Sequence, residues 1–268
     1  MSNSGSVDGI KRNLFKNTES LNKSNEKLSS GKRINKGSDD PAGLAVAASL
    51  NADTVVLTQA SRNISDGSSI SEIKDAVYSS LSDISIRQQE LAAQSSNGTL
   101  NDSQRASLNQ EFQALTEEAN RIVNATTYNG QQVIESNVTL QVGTDSSSSS
   151  QITISDNNIK SIVSQLSNQS IDSIENAQSA LTTVQSYAEQ VSQSRGQLGA
   201  ESSRLDSASS SIESKKEANQ IAESRVRDAD IAEELSRRIA SEIGQRIDVA
   251  LLAQASKLNT ATALNLLR

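Results

Sequence analysis

The 268-residue chain has no histidine, no cysteine and no tryptophan, a single proline, and only 2% aromatic residues. Without imidazole or thiolate, zinc, haem and blue-copper centres lose their usual ligands. Ser-His-Asp and Cys-His catalysis go with them, as does a histidine general base. No disulfide can form. Apolar residues make up 34%, or about 38% with the 12 glycines, below the roughly 45–50% of a globular domain. That is too little for a thick core, but it suffices for long thin helices that each bury one stripe. The net charge of -7 argues against a nucleic-acid partner, whose footprint is a basic face. No 18-residue run is uninterruptedly apolar, so no membrane insertion is expected. The opening MSNSGSVDGIKRNLF lacks the apolar segment of a cleaved secretory signal.

What is present is helical periodicity. Val7, Ile10, Leu14, Leu21 and Leu28 follow heptad spacing, decaying to Asn17 and Ser24 at the alternate positions, which predicts one thin amphipathic helix. That segment is basic, with eight Lys/Arg and three Asp/Glu from Met1 to Lys36. Gly31 and Gly37 interrupt it. Asp40 then fits an N-cap and Pro41 a first helical position, opening a second helix to about Gln94. Its later half carries Ile70, Ile73, Val77, Leu81, Ile84 and Leu91. Asn97-Gly98 ends it, and a third helix places Leu108, Phe112, Leu115, Ala119 and Ile122 on one face.

After Tyr128 the period shortens. Asn129-Gly130 is a turn pair, and residues 138–142 and 151–155 alternate like strands of a small hairpin with five serines at its tip. From about Ser170 the helical period returns. Ala177, Val184, Val191, Leu198, Leu205 and Ile212 recur every seven residues. Their expected partner positions begin apolar (Ile174, Leu181, Ala188) and turn polar (Arg195, Ser202, Ser209, Lys216). Sustained over about 50 residues, that helix is roughly 75 Å long. The last segment places Ile231, Leu235, Ile239, Ile243, Ile247 and Leu251 four apart, joined by Leu252, Leu264 and Leu267.

The fold class is therefore mainly α, an elongated coiled-coil helical rod with a small β-hairpin region at about 128–156. Both chain ends are thin amphipathic helices that can pair with each other, and they flank the rod. Even paired, the terminal helices leave apolar surface that needs other subunits, as expected of a segment that folds on assembly. Heterologous contacts that do not close generate a helical filament.

The ordering of local motifs resembles bacterial flagellin. Residues 28–48, LSSGKRINKGSDDPAGLAVAA, are similar to that family's LSSGxRIN...DDxAGLAIA signature. Residues 59–70, QASRNISDGSSI, and 87–99, RQQELAAQSSNGT, resemble its QAxRNxNDGIS and RxRELAVQxANGT blocks, and residues 127–130 read TYNG. Residues 194–205, SRGQLGAESSRL, and 222–234, AESRVRDADIAEE, resemble two further blocks, with LAQAS at 252–256 and LNLLR at 264–268 completing the match.

The resemblance implies a structural, non-enzymatic subunit without cofactors. Such a subunit is exported by the flagellar type III route without a cleaved signal peptide and polymerises outside the cell into the filament that drives swimming. The alternative within the same system is a hook–filament junction or minor filament protein. Partners implied are further copies of the chain, other flagellins, the filament cap protein, the hook–filament junction protein, an export chaperone, and in hosts a Toll-like receptor. By the same resemblance residues 1–40 and 228–268 form the inner tube, residues 41–227 form the rod domain, and the outer domains that the family often inserts after the hairpin are missing.

The inner-tube residues are then Val7, Ile10, Leu14, Leu21, Leu28, Leu235, Ile239, Ile243, Ile247, Leu251, Leu252, Leu264 and Leu267. Rod packing falls to Ile73, Val77, Ile84, Leu108, Phe112, Leu115, Val184, Val191, Leu198, Leu205 and Ile212. Arg87, Glu90, Leu91 and Glu111 match the family's protofilament and receptor patch, although the second arginine common there is Gln89 here. For Leu91 a packing role outweighs a receptor contact. Ser146, Ser147, Ser148, Ser149 and Ser150 are the candidates for O-glycosylation. Asp228 and Asp230, near Arg225 and Arg227, suit either intersubunit ion pairs or a solvated hinge.

Overall fold

The computed structural model describes the backbone of residues 2–266 and the side chains of residues 6–258. It is mainly α. The helices are α1 (Ser2–Ser30), α2 (Pro41–Ser95), α3 (Asp102–Ala125), α4 (Ile159–Leu166), α5 (Ile174–Arg227) and α6 (Ile231–Leu266). Between α3 and α4 lie β1 (Thr127–Tyr128) paired with β2 (Gln131–Gln132), and β3 (Val138–Gln141) paired with β4 (Gln151–Ile154), both antiparallel.

The helix starts follow from side-chain caps. Asp40 accepts the Gly43 amide at 2.9 Å ahead of Pro41, and Asp230 accepts the Ala232 and Glu233 amides to open α6. Asn101 and Gln104 form a reciprocal capping box at α3, satisfying two otherwise orphaned donors. The loop before it is closed by Arg105, a buried residue of α3. Its guanidinium donates to the carbonyls of Ser95, Asn97 and Leu100 at 2.8–3.0 Å. Asn129 and Gly130 both take positive φ, 50° and 78°, the geometry of a type I′ turn joining β1 to β2.

The chain divides into two compact units, Met1–Thr54 with Glu217–Arg268, and Val55–Lys216. The division falls inside α2 and α5. The flanking stretches find partners within the first unit; Asn51 Nδ2, for example, donates to Glu223 at 3.5 Å.

In the second unit the expected heptad row of α5, from Ala177 to Ile212, is buried along its length. The companion row differs from expectation. It lies three residues on, at Ala180, Tyr187, Ser194 and Glu201, while Ile174 and Arg195 are exposed and Leu181 and Ala188 only half-buried. On α2 the buried line runs Leu57, Ala60, Ile64, Gly67, Ser71, Lys74, Tyr78, Leu81, Ser85, Gln88, Ala92, Ser95, alternating three and four apart. That is a coiled-coil seam in which about half the members are polar or glycine. Val77, Leu91 and Phe112 are buried beside it, and Ile73, Ile84, Leu108 and Leu115 pack half-buried against the same core.

The β3–β4 hairpin pairs Leu140 with Ile152 and Val138 with Ile154. Leu140, Ile152 and Ile154 are buried, whereas Thr139 and Thr153 meet on the other side at 3.1 Å. Leu140 packs so tightly on α2 that a Cβ on Gly67 would lie 2.1 Å from its Cδ1, so a larger residue at 67 would force the Leu140 side chain to move. Helix α4, not anticipated from the sequence, buries Ile159, Val163 and Leu166, a period of three and four that was legible but short.

Candidate assembly interface

Within the first unit, residues 31–34 and 226–229 form a clasp. The Arg33 amide donates to Arg227 O at 2.6 Å and the Ala229 amide to Gly31 O at 3.0 Å, while Lys32 and Asp228 make an antiparallel bridge. Arg33 Nη2 reaches Val226 O at 2.7 Å, and Arg227 reaches Ile34 O and Glu223. The connections before α2 and after α5 are thus tied by main chain. Of the two readings of this region, Asp230 caps a helix and Arg227 is engaged within the chain.

From the clasp, α1 and α6 run antiparallel. Their seam is polar. Asn17 Nδ2 donates to Asp248 at 2.8 Å and Gln245 to Thr18 at 3.2 Å. Ser24 and Lys27 both donate to Glu234 at 3.1 Å. Glu234 and Asp248 are only 5% and 7% exposed. Burial pushes the Glu234 carboxyl upward, but the hydrogen bonds from Lys27 and Ser24 and the charges of Lys27 and Arg237 outweigh it, leaving the pKa lowered.

The expected inner-tube residues divide around this seam. Val7, Ile10, Leu14, Leu21 and Leu28 of α1 are half-buried, as is Leu252 of α6. By contrast Ile231, Leu235, Ile239, Ile243, Ile247 and Leu251 are 43–54% exposed. The Leu264 side chain and all of Leu267 lie outside the described residues. Sequence reasoning missed Phe15, 75% exposed on a chain with two phenylalanines. It also missed the seam acids, because their partners come from more than 200 residues away. So many half-exposed large aliphatics on one helix is more than scattered surface hydrophobics explain.

In the second unit, Arg87 of α2 bridges Glu111 of α3 at 2.7 Å and Glu90 at 3.0 Å, all three exposed. Glu111 first, then Glu90, raise the Arg87 pKa. Leu91 does not belong to that surface. It is fully buried in the unit's own core, on the side of α2 that meets α3, which corrects its place in the patch.

At the hairpin tip Ser146 to Ser149 are exposed and Ser150 half-buried. Asp145 organises the turn, accepting from the Ser147 and Ser150 hydroxyls and the Ser147 amide, contacts that hold its carboxyl at about 2. Where β4 ends, Lys74 of α2 is fully buried and donates to Ser155 O at 2.9 Å. Desolvation lowers its pKa against the pull of Asp156 and Glu201. Neighbouring Tyr78 is pushed up to about 12, chiefly by burial.

Among the described residues no group of three or more Asp or Glu could hold a metal ion. One 18-residue window of α2 reaches a mean hydropathy of 1.2, enough by length and composition alone to cross a membrane.

A core spread thinly along long helices, with an apolar face turned outward on the terminal one, defines a class: helical structural proteins whose surfaces are completed by other chains. The sequence profile for the bacterial flagellin N-terminal helical region matches residues 3–139, and that for the C-terminal helical region matches residues 181–267. The chain belongs to the bacterial flagellin family. It is 37% identical over 260 residues to a flagellin of Halalkalibacterium halodurans, covering 96% of this chain and 95% of that one. It is 31% identical to a flagellar filament 31.3 kDa core protein of Treponema maltophilum, covering 91% of each. The crystal structure of Bacillus cereus flagellin shares the fold with a TM-score of 0.52 and 24% identity, over 56% of this chain and 88% of that one.

Proposed function

We propose that this chain is a structural subunit that polymerises through its terminal helices into the extracellular filament of a bacterial flagellum, serving swimming motility. The outward apolar row of α6, Ile231 to Leu251, carries the reading. Each half-exposed Ile or Leu gains about 1 kcal/mol when a neighbour covers it, and six on one helix supply a substantial part of a subunit contact. The occupant is a second copy, because the family is one of filament proteins. Residues 1–40 and 228–268 are read as the inner tube and residues 41–227 as the outer domain.

The same reading gives the chain no catalytic role and no cofactor. It is exported by the flagellar type III route. An export chaperone covers α6 until assembly, and the cap and hook–filament junction proteins meet the filament ends. Arg87, Glu90 and Glu111 form the surface offered to neighbouring protofilaments or to a host Toll-like receptor. Ser146 to Ser149 are the exposed hydroxyls open to glycosylation.

Seeded polymerisation of the purified full chain, followed by pelleting and electron microscopy, tests this. The parent forms filaments, and Leu235→Ser/Ile239→Ser/Ile243→Ser stays in the supernatant while the second unit melts as in the parent. Filaments formed equally well by that variant would remove the apolar row from the assembly interface.

A further inference from the structure

The two faces of α6 are arranged the opposite way from a simple amphipathic pair. The large aliphatics point away from α1, and the face toward α1 carries Glu234, Ser241, Gln245, Asp248, Leu252 and Ala255, all buried or half-buried. These recur at intervals of three, four and seven, so they keep facing a straight partner helix. The row from Ile231 to Leu251 recurs strictly every four residues and therefore drifts about 40° per step. Over its length it winds about halfway round the helix. Such a row cannot be buried against α1 alone, and it meets neighbours on more than one side.

Hydrophobicity by itself would still turn part of that row toward α1. What opposes this is the set of side-chain hydrogen bonds that exist in one rotation only, Asn17 to Asp248, Gln245 to Thr18, and Ser24 and Lys27 to Glu234. Gly244 reinforces them. A Cβ there would lie 2.7 Å from Asn17 Nδ2, so the absence of a side chain at 244 leaves room for the Asn17 amide in this rotation.

We infer that the polar seam of Asn17, Glu234 and Asp248 is a specificity determinant, locking the rotation of α6 on α1 so that the apolar row stays turned outward for neighbouring subunits. The inference rests on the assembly reading above for the purpose of the row, but not for the lock itself.

The cysteine-free chain makes the rotation measurable. Two reporters are built, Thr18→Cys/Gln245→Cys across the seam and Thr18→Cys/Ile243→Cys to the outward face, about 160° away around α6. Each is treated with a short bismaleimide, and the intramolecular product is resolved by gel. Parent and variants are compared in the same state, polymerised or monomeric. The parent links through residue 245 in preference to 243.

Replacing the lock by Asn17→Ala/Glu234→Ala/Asp248→Ala lowers the ratio of the two products roughly tenfold, since several buried hydrogen bonds are lost together. Asp248→Asn, which keeps an acceptor for Asn17, retains the parent ratio. An unchanged ratio in the alanine variant, equal linking in the parent, or a drop for Asp248→Asn as large as for alanine overturns the inference. The row variant distinguishes the two readings: if it polymerises like the parent, the assembly reading fails while the cross-linking ratio still decides the lock.

Discussion

Lys74 and Glu201 hold the backbone of one residue, Ser155, at its carbonyl and its amide. The Lys74 ammonium donates to Ser155 O at 2.9 Å, and the Glu201 carboxylate accepts the Ser155 amide at 3.2 Å on each oxygen. Both side chains are buried, one on α2 and one on α5, so the residue at which the hairpin ends is fastened to two long helices of the second unit.

Lys74→Met should therefore do more than remove a charge. It strands the Ser155 carbonyl and removes a buried cation whose charge is felt by Glu201, for a loss of about 2 kcal/mol. Chemical denaturation of the full chain measures it. Glu201→Gln, still able to accept from the amide, should cost less than Glu201→Leu, and that order distinguishes hydrogen bonding from shape.

Arg105→Ala should cost about 3 kcal/mol, because three carbonyls at the end of α2 lose a charged donor at once. Arg105→Lys recovers only part of this, as an ammonium lacks the planar fork that reaches Ser95, Asn97 and Leu100 together. Amide exchange in residues 96–101 should accelerate in both variants, more in the alanine one. Unaltered exchange would show that the loop is held by its own capping box alone.

Acid should loosen the terminal helix pair through Glu234. Its pKa is lowered in the fold, so its contribution is present above the unfolded carboxylate range, near 4.3. That contribution is lost as pH falls through the folded value. Glu234→Gln removes it at every pH, so the acid stability of that variant should fall less steeply below about 4.3 than the parent's. Cross-linking between Thr18→Cys and Gln245→Cys across a pH series reads this directly, and parallel curves for parent and variant would assign the acid response elsewhere.

Much of the fold is legible because it is written in local rules. The Asp40-Pro41 start, the Asn97-Gly98 stop, the Asn129-Gly130 turn, the alternation around residues 140 and 152, and the seven-residue row of α5 each depend on neighbours within one or two turns. Helix α4 escaped because eight residues between loops carry too short a period to stand out. The buried line of α2 escaped for a different reason. Ser71, Lys74, Ser85, Gln88 and Ser95 are inside, and a pattern search for apolar residues passes over polar ones whose partners lie far along the chain.

The amino-acid sequence by itself determined that this is a helical chain with thin stripes and a hairpin mid-chain, since composition and periodicity are local properties. Its motifs carried the family as well. Which face of α6 meets α1, which acids are buried, and that Leu91 is core and not surface were decided only by tertiary structure. An amphipathic pattern states that a stripe exists, but the rotation of the helix is set by hydrogen bonds such as Asn17 to Asp248, between residues 231 positions apart.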